Sequence, residues 1–160
     1  MRLSQFEMEN GQEILDILNN TQYCHIAMTD NAQPYIVTMF YAYLPEYKRI
    51  YVHGAKEGRK ANVFEKGGTT VCVQIIDDIQ IIPDESPCDY FSAYRSIVCD
   101  GIVRPAIDEE KKVALDLIAK KYSGLESFSF SQEALDSVSC WGIELLTVVG
   151  KKIPKCPQHD

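Results

Sequence analysis

The stretch Tyr35–Phe64, YIVTMFYAYLPEYKRIYVHGAKEGRKANVF, decides the architecture of this chain. β-Branched and aromatic residues crowd Tyr35–Tyr43 and Arg49–His53, and each run reads as a strand. Between them Leu44–Lys48 carries Pro45 and charge, the composition of a turn. Gly54–Gly58 follows as a glycine-bounded loop, and Arg59–Lys66 opens a helix. The two glycines let the backbone come close to a ligand. Arg59 and Lys60 set two cations and several unpaired amides at a helix start, a seat for a phosphate. Cations are unfavourable at that end of a helix dipole, so their presence there needs a reason. His53 ends the strand that delivers the chain to this seat. The segment is therefore expected to hold a phosphorylated cofactor that supplies the reactivity.

Working outward, Asn10 followed by Glu13 has the form of a capping box, and Ile14, Leu15, Ile17 and Leu18 mark one apolar face of a helix that ends near Asn19–Asn20. Tyr23–Thr29 reads as a strand, and Asp30-Asn31-Ala32 as a hairpin turn into Pro34. Downstream, Gly67-Gly68 breaks the chain before a strongly apolar strand, Thr69–Ile76. Asp77–Cys88 reads as a loop or a strand pair, and Tyr90–Arg104 as a long strand with a bulge or bend at Gly101. Asp108–Lys121 is the clearest helix: Asp108 as cap, acids in the first turn, lysines in the last, and Val113, Ala114, Leu117 and Ile118 as the buried stripe. Ser131–Ser137 is a short helix, Val138–Val149 a final strand, and Gly150–Asp160 a charged tail. Mostly antiparallel strands with a few peripheral helices predict a single α+β domain built on a β-barrel, with Met1–Glu9 as an arm.

The composition narrows the function. The chain has 160 residues, 46% hydrophobic and 24% charged, enough for one self-sufficient core. A net charge of −7 argues against general nucleic-acid binding, so the cluster Lys56, Arg59 and Lys60 suits a small anion better than a polyanion. Without a membrane-length apolar run or a signal-peptide core, a cytoplasmic protein is expected. The six cysteines include no C-x-x-C pair and are read as buried free thiols, four of them in apolar strand-like runs. Cys156-Pro157-Gln158-His159 is at most half a metal site, and no metal is expected.

Three segments, PYIVTMFYAY, IYVHGAKEGRKANVF and PCDYFSAYRSIVCDG, resemble the pyridoxamine 5′-phosphate oxidase-like flavoproteins, nearest to their nitroimidazole-resistance branch. The resemblance spans Glu13 to Lys151, and HGAKEGRK is its specific part. It implies an FMN-binding split β-barrel, α+β in class, that forms a homodimer with the flavin lodged between the subunits. It further implies that the strand containing Val37, Thr38, Met39 and Phe40 lays its backbone along the isoalloxazine ring. His53, Gly54 and Ala55 would line the ring and ribityl chain, and Arg59 and Lys60 would hold the phosphate. Ser96, with Tyr94 and Arg95 beside it, falls where the family offers a polar side chain to the cofactor. Two departures stand out: Thr38 replaces a proline common in that branch, and Lys66-Gly67-Gly68-Thr69 replaces an Asn-Pro turn.

The expected function is an FMN-dependent oxidoreductase that passes electrons from a reduced nicotinamide to a small substrate, a nitro-aromatic by analogy with the branch. His53 is the candidate for proton transfer, because an ordinary imidazole titrates near neutrality. The alternative is a non-enzymatic module that binds flavin, or haem through His53, and a third reading is an empty barrel used for dimerisation.

Overall fold

The structure is a computed structural model that describes residues 4–126 and 128–154. Seven strands form one antiparallel sheet in the order β2-β1-β5-β6-β7-β4-β3. In chain order these are β1 (Tyr23–Asp30), β2 (Gln33–Phe40), β3 (Ala42–Leu44), β4 (Arg49–Gly54), β5 (Thr69–Ile82), β6 (Phe91–Pro105) and β7 (Ser139–Ile153). Four α-helices flank the sheet: α1 (Gly11–Asn20), α2 (Arg59–Phe64), α3 (Asp108–Ser123) and α4 (Gln132–Ser137). The sheet curls until β2 approaches β4, but no ladder joins them. The result is a split barrel, the α+β class that the sequence predicts. No helix is long and apolar enough to cross a membrane, among the described residues.

The barrel interior is filled from every strand, the short β3 contributing Tyr43. Ile26, Val52, Val73, Ile75, Ile97, Cys99, Trp141 and Ile143 are wholly buried there, closed at one end by Ile17 and Leu18 of α1. A second, smaller cluster, including Ala42, Tyr51, Ala114, Ile118 and Cys140, seats α3 on the outside of β3, β4 and β7. Cys24, Cys99 and Cys140 are buried free thiols, and loss of hydration pushes each up to about 12, so none of these three is reactive; Cys88 is exposed, against the expectation of burial, because it lies in the turn before β6.

Several expectations are corrected. The strand Tyr35–Tyr43 is two strands: β2 pairs with β1, while β3 pairs with β4 at the far edge of the sheet. The switch is at Tyr41, whose N–H donates to the Tyr122 hydroxyl at 3.0 Å, while its carbonyl lies 2.9 Å from the same oxygen. One side chain from α3 thus replaces the ladder bonds that Tyr41 gives up. The segment Asp77–Cys88 begins as strand, because β5 continues through a bulge at Asp77–Gln80 as far as Ile82. Gly150–Ile153 belongs to β7, where Lys151, Lys152 and Ile153 pair with Ser96, Arg95 and Tyr94.

The cap of α3 is the backbone of Ile107, with no side-chain cap, and Asp108 sits at φ 49°. Its buried residues are Ala114, Leu115 and Ile118, while Val113 is 44% exposed. Both columns of that helix are apolar, so periodicity could not choose between them; packing on β3, β4 and β7 did. Within the first segment, Glu7 bridges Lys151 by its backbone, which ties part of the expected arm to the sheet. The Cys156–His159 motif lies outside the described residues.

Candidate flavin site at the split of the barrel

The loop after β4 turns at Gly58, whose φ of 103° and ψ of 172° suit only glycine, and α2 begins at the next residue. That helix has six residues, so its dipole is small and side chains dominate the local charge. Arg59 and Lys60 diverge from it. Arg59 reaches across the split: its Nε donates to Asp30 Oδ2 at 2.7 Å, and its guanidinium lies 4.3 Å from the centre of the Tyr35 ring. Lys60 turns back over β4, and a Cβ at Gly54 would collide with its Nζ. The ammonium stands 5.4 Å from the centre of the Trp141 ring and has no ion-pair partner among the described residues. Burial lowers its pKa from the ordinary lysine value.

His53 precedes Gly54 on β4 opposite Cys140 of β7, and its Nδ1 is buried without a hydrogen-bond partner. Burial first, and the nearby Lys60 ammonium second, hold the imidazole below its ordinary pKa. Both effects favour the neutral ring over the imidazolium. Ala55 is exposed at the start of the loop. An unpaired half-buried cation and an orphaned imidazole nitrogen are costly in water-free packing, and the bare Gly54 beside them leaves room for a ligand. They would suit an anionic group of a flavin cofactor, with Lys60 as the charge and Arg59 as the brace that fixes α2 to the β1–β2 hairpin.

On β2 the alternation of side chains sorts the expected residues. Val37 and Met39 point into the core, whereas Thr38 and Phe40 point outward. Thr38 Oγ1 lies 3.0 Å from His25 Nδ1 on β1. Phe40 meets Tyr122 edge to face with centroids 5.0 Å apart. Among the described residues only one edge of β2 is paired, so its other edge offers free backbone donors and acceptors along the split. A flat heteroaromatic ring can use such an edge.

Tyr94, Arg95 and Ser96 are elsewhere. His53 is opposite Cys140, near the start of β7, and Ser96 is opposite Lys151, near its end. The eleven-residue interval corresponds to about 35 Å of strand. Arg95 is paired with Asp77, and its Nε is buried without a partner. Ser96, only 8% exposed, lies beside a depression of ≈ 440 Å³ on the outer face of the sheet, walled by Ile76, Ile79, Val98 and Val149. Sequence reasoning missed Asp30 and Glu65, which brace Arg59 and the Trp141 indole N–H (3.0 Å), because neither carries a motif. It missed Lys151 at the depression because that residue reads as tail.

A family model, Pyridoxamine 5′-phosphate oxidase, matches residues 10–152. The chain belongs to the pyridoxamine 5′-phosphate oxidase family. Among solved structures, a candidate 5-nitroimidazole antibiotic resistance protein of Bacteroides thetaiotaomicron VPI-5482 is similar, with a TM-score of 0.77 and 28% identity over 91% of this chain and 85% of that one. The FAD and heme binding protein of Mycobacterium smegmatis has a TM-score of 0.83 at 13% identity, over 96% of this chain and 76% of that one. The flavocytochrome Anf3 of Azotobacter vinelandii has 0.81 at 17%, over 100% and 75%. These last two share the fold alone. No curated protein sequence matches the chain. The family therefore brings a flavin-binding split barrel, as the motifs implied.

Proposed function

We propose that this chain is an FMN-dependent oxidoreductase that takes electrons from a reduced nicotinamide and passes them to a small electrophile, a nitro-aromatic of the 5-nitroimidazole kind. The observation that carries the reading is Lys60: a cation with no counter-ion among the described residues, poised over a glycine and beside an unpartnered imidazole. The likeness to the Bacteroides resistance protein supports the substrate class. FMN, once bound, supplies the redox chemistry. The chain's own part is to hold the phosphate with Lys60, to keep α2 in place through Arg59, and to present the free edge of β2 to the ring. His53, whose neutral form burial favours, can accept a hydrogen bond or a proton at the cofactor's edge and so orient a substrate there.

The functional unit we infer is a homodimer with the flavin between subunits. Two features support it. Tyr94 and Ser96 are separated from Lys60 by nearly the length of β7, so a second copy is needed to bring both groups to one ligand. The outer sheet face also carries Ile36 at 65% exposure and Phe40 at 58%, apolar surface that a partner would cover.

The absorption spectrum of the purified protein tests the reading. Two flavin bands that bleach on adding NADH or NADPH are expected. Flavin bands that neither donor bleaches would leave a binding module, and a Soret band would move the cofactor to haem. Lys60→Ala is expected to weaken FMN binding at least tenfold while the circular dichroism spectrum is retained. Undiminished FMN affinity in that variant would place the phosphate elsewhere.

A further inference from the structure

The depression on the outer sheet face is lined by a lysine as well, Lys151. Lys151 of β7 donates from Nζ to the Tyr94 hydroxyl at 2.7 Å, and the ammonium stands 5.2 Å from the centre of that ring. Among the described residues it makes no ion pair, although Glu7 pairs with it through the backbone. Its neighbour Lys152 behaves differently: it faces α1 and is paired with Glu13 at 2.5 Å. Around Lys151 the polar groups are few, namely Gln74, the Tyr94 hydroxyl and Ser96, and the walls are apolar. A largely apolar depression with a few convergent polar groups is the usual form of a small-molecule site. A lone ammonium in it favours a ligand that carries or gains negative charge.

We propose that Lys151 faces the flavin and selectively stabilises its reduced form, with the Tyr94 hydroxyl positioning the ammonium. The proposal rests on the flavin reading above and on a second copy bringing this depression to the Lys60 site. Reduced flavin at neutral pH carries a negative charge on its ring that oxidised flavin lacks. A fixed ammonium near that ring therefore binds the reduced form more tightly and raises the reduction potential of the bound cofactor. Lys60 acts differently, because the phosphate it serves has the same charge in both redox states.

The test compares the native protein with Lys151→Met, Lys151→Arg and Tyr94→Phe. The dissociation constant for oxidised FMN is read by fluorescence quenching, and the ratio of affinities for reduced and oxidised FMN by anaerobic dye equilibration. Lys151→Met is expected to lower that ratio about tenfold, a potential drop of about 30 mV for a two-electron couple. It should leave the affinity for oxidised FMN within about threefold. Lys151→Arg should keep the ratio, and Tyr94→Phe should lower it by a smaller factor. If Lys151→Met binds FMN with an unchanged ratio, the lysine is a surface contact to Tyr94 and the inference falls while the flavin reading stands. If the native protein binds no FMN at all, both fall. If Lys151→Met fails to fold, Lys151→Gln decides: a native ratio there, with FMN bound, overturns the proposal, and a native ratio in Tyr94→Phe overturns the positioning role.

Discussion

At the scale of single residues, two titratable groups carry the distinctive physics. His53 is held below its ordinary pKa in the native state, whereas in the unfolded chain it titrates normally. Between those two values the unfolded chain binds more protons, so stability rises with pH and is lost as pH falls below about 6.5. Urea titrations from pH 7 down to pH 5 should show this loss, and His53→Gln should remove part of it. An unchanged pH slope in that variant would assign the acid sensitivity to other groups. Lys121 near the end of α3 is the second case. Its Nζ is buried without a hydrogen-bond partner, lies 3.7 Å from the centre of the Tyr41 ring, and burial brings its pKa down to about 8. The ring attraction recovers only part of the lost hydration. Lys121→Met is expected to stabilise the fold by about 1 kcal/mol, after allowing for screening, without altering FMN affinity. A lower melting temperature in that variant would show that the cation–ring contact outweighs desolvation.

At the scale of elements, the change of partners between β2 and β3 depends on Tyr122. Its hydroxyl accepts from the Tyr41 N–H and donates its one hydrogen to either of two carbonyls within reach, those of Tyr41 and Gln22. Tyr122→Phe leaves those groups unpaired in a half-buried setting and should destabilise the fold by about 1–3 kcal/mol. Chemical denaturation measures this directly, and a loss under about 0.5 kcal/mol would mean that water takes over the bonds. The same switch lets β2 keep an unpaired edge at the split while β3 and β4 close the other side. The periodicity of Tyr35–Tyr43 gave no hint of it, since both strands are apolar and their residues continue the alternation. The partner lies 81 residues away in sequence, at the end of another helix.

At the scale of the whole molecule, the outer face of β1, β2, β5, β6 and β7 matters most. Ile36, Phe40, Val98 and Val149 are all exposed on it. Sedimentation is expected to give a dimer, and Ile36→Asp together with Val98→Asp should yield monomers that have lost flavin. A double variant that stays dimeric would move the interface to another face, and a monomer with full flavin occupancy would remove the shared site.

Much of this protein was legible in the chain. Strand alternation, turn glycines and the HGAKEGRK segment determine the barrel, the loop at Gly54–Gly58 and the placing of two cations beside it. Those features are local, set by the backbone preferences of neighbouring residues and the period of apolar side chains. Only the tertiary structure separated Arg59, committed to Asp30 and Tyr35, from Lys60, which keeps its charge free. It alone made Lys151 a residue of the sheet and set it beside Tyr94. Charge pairing and burial depend on which distant strand comes alongside, and one residue's neighbours in sequence do not encode that.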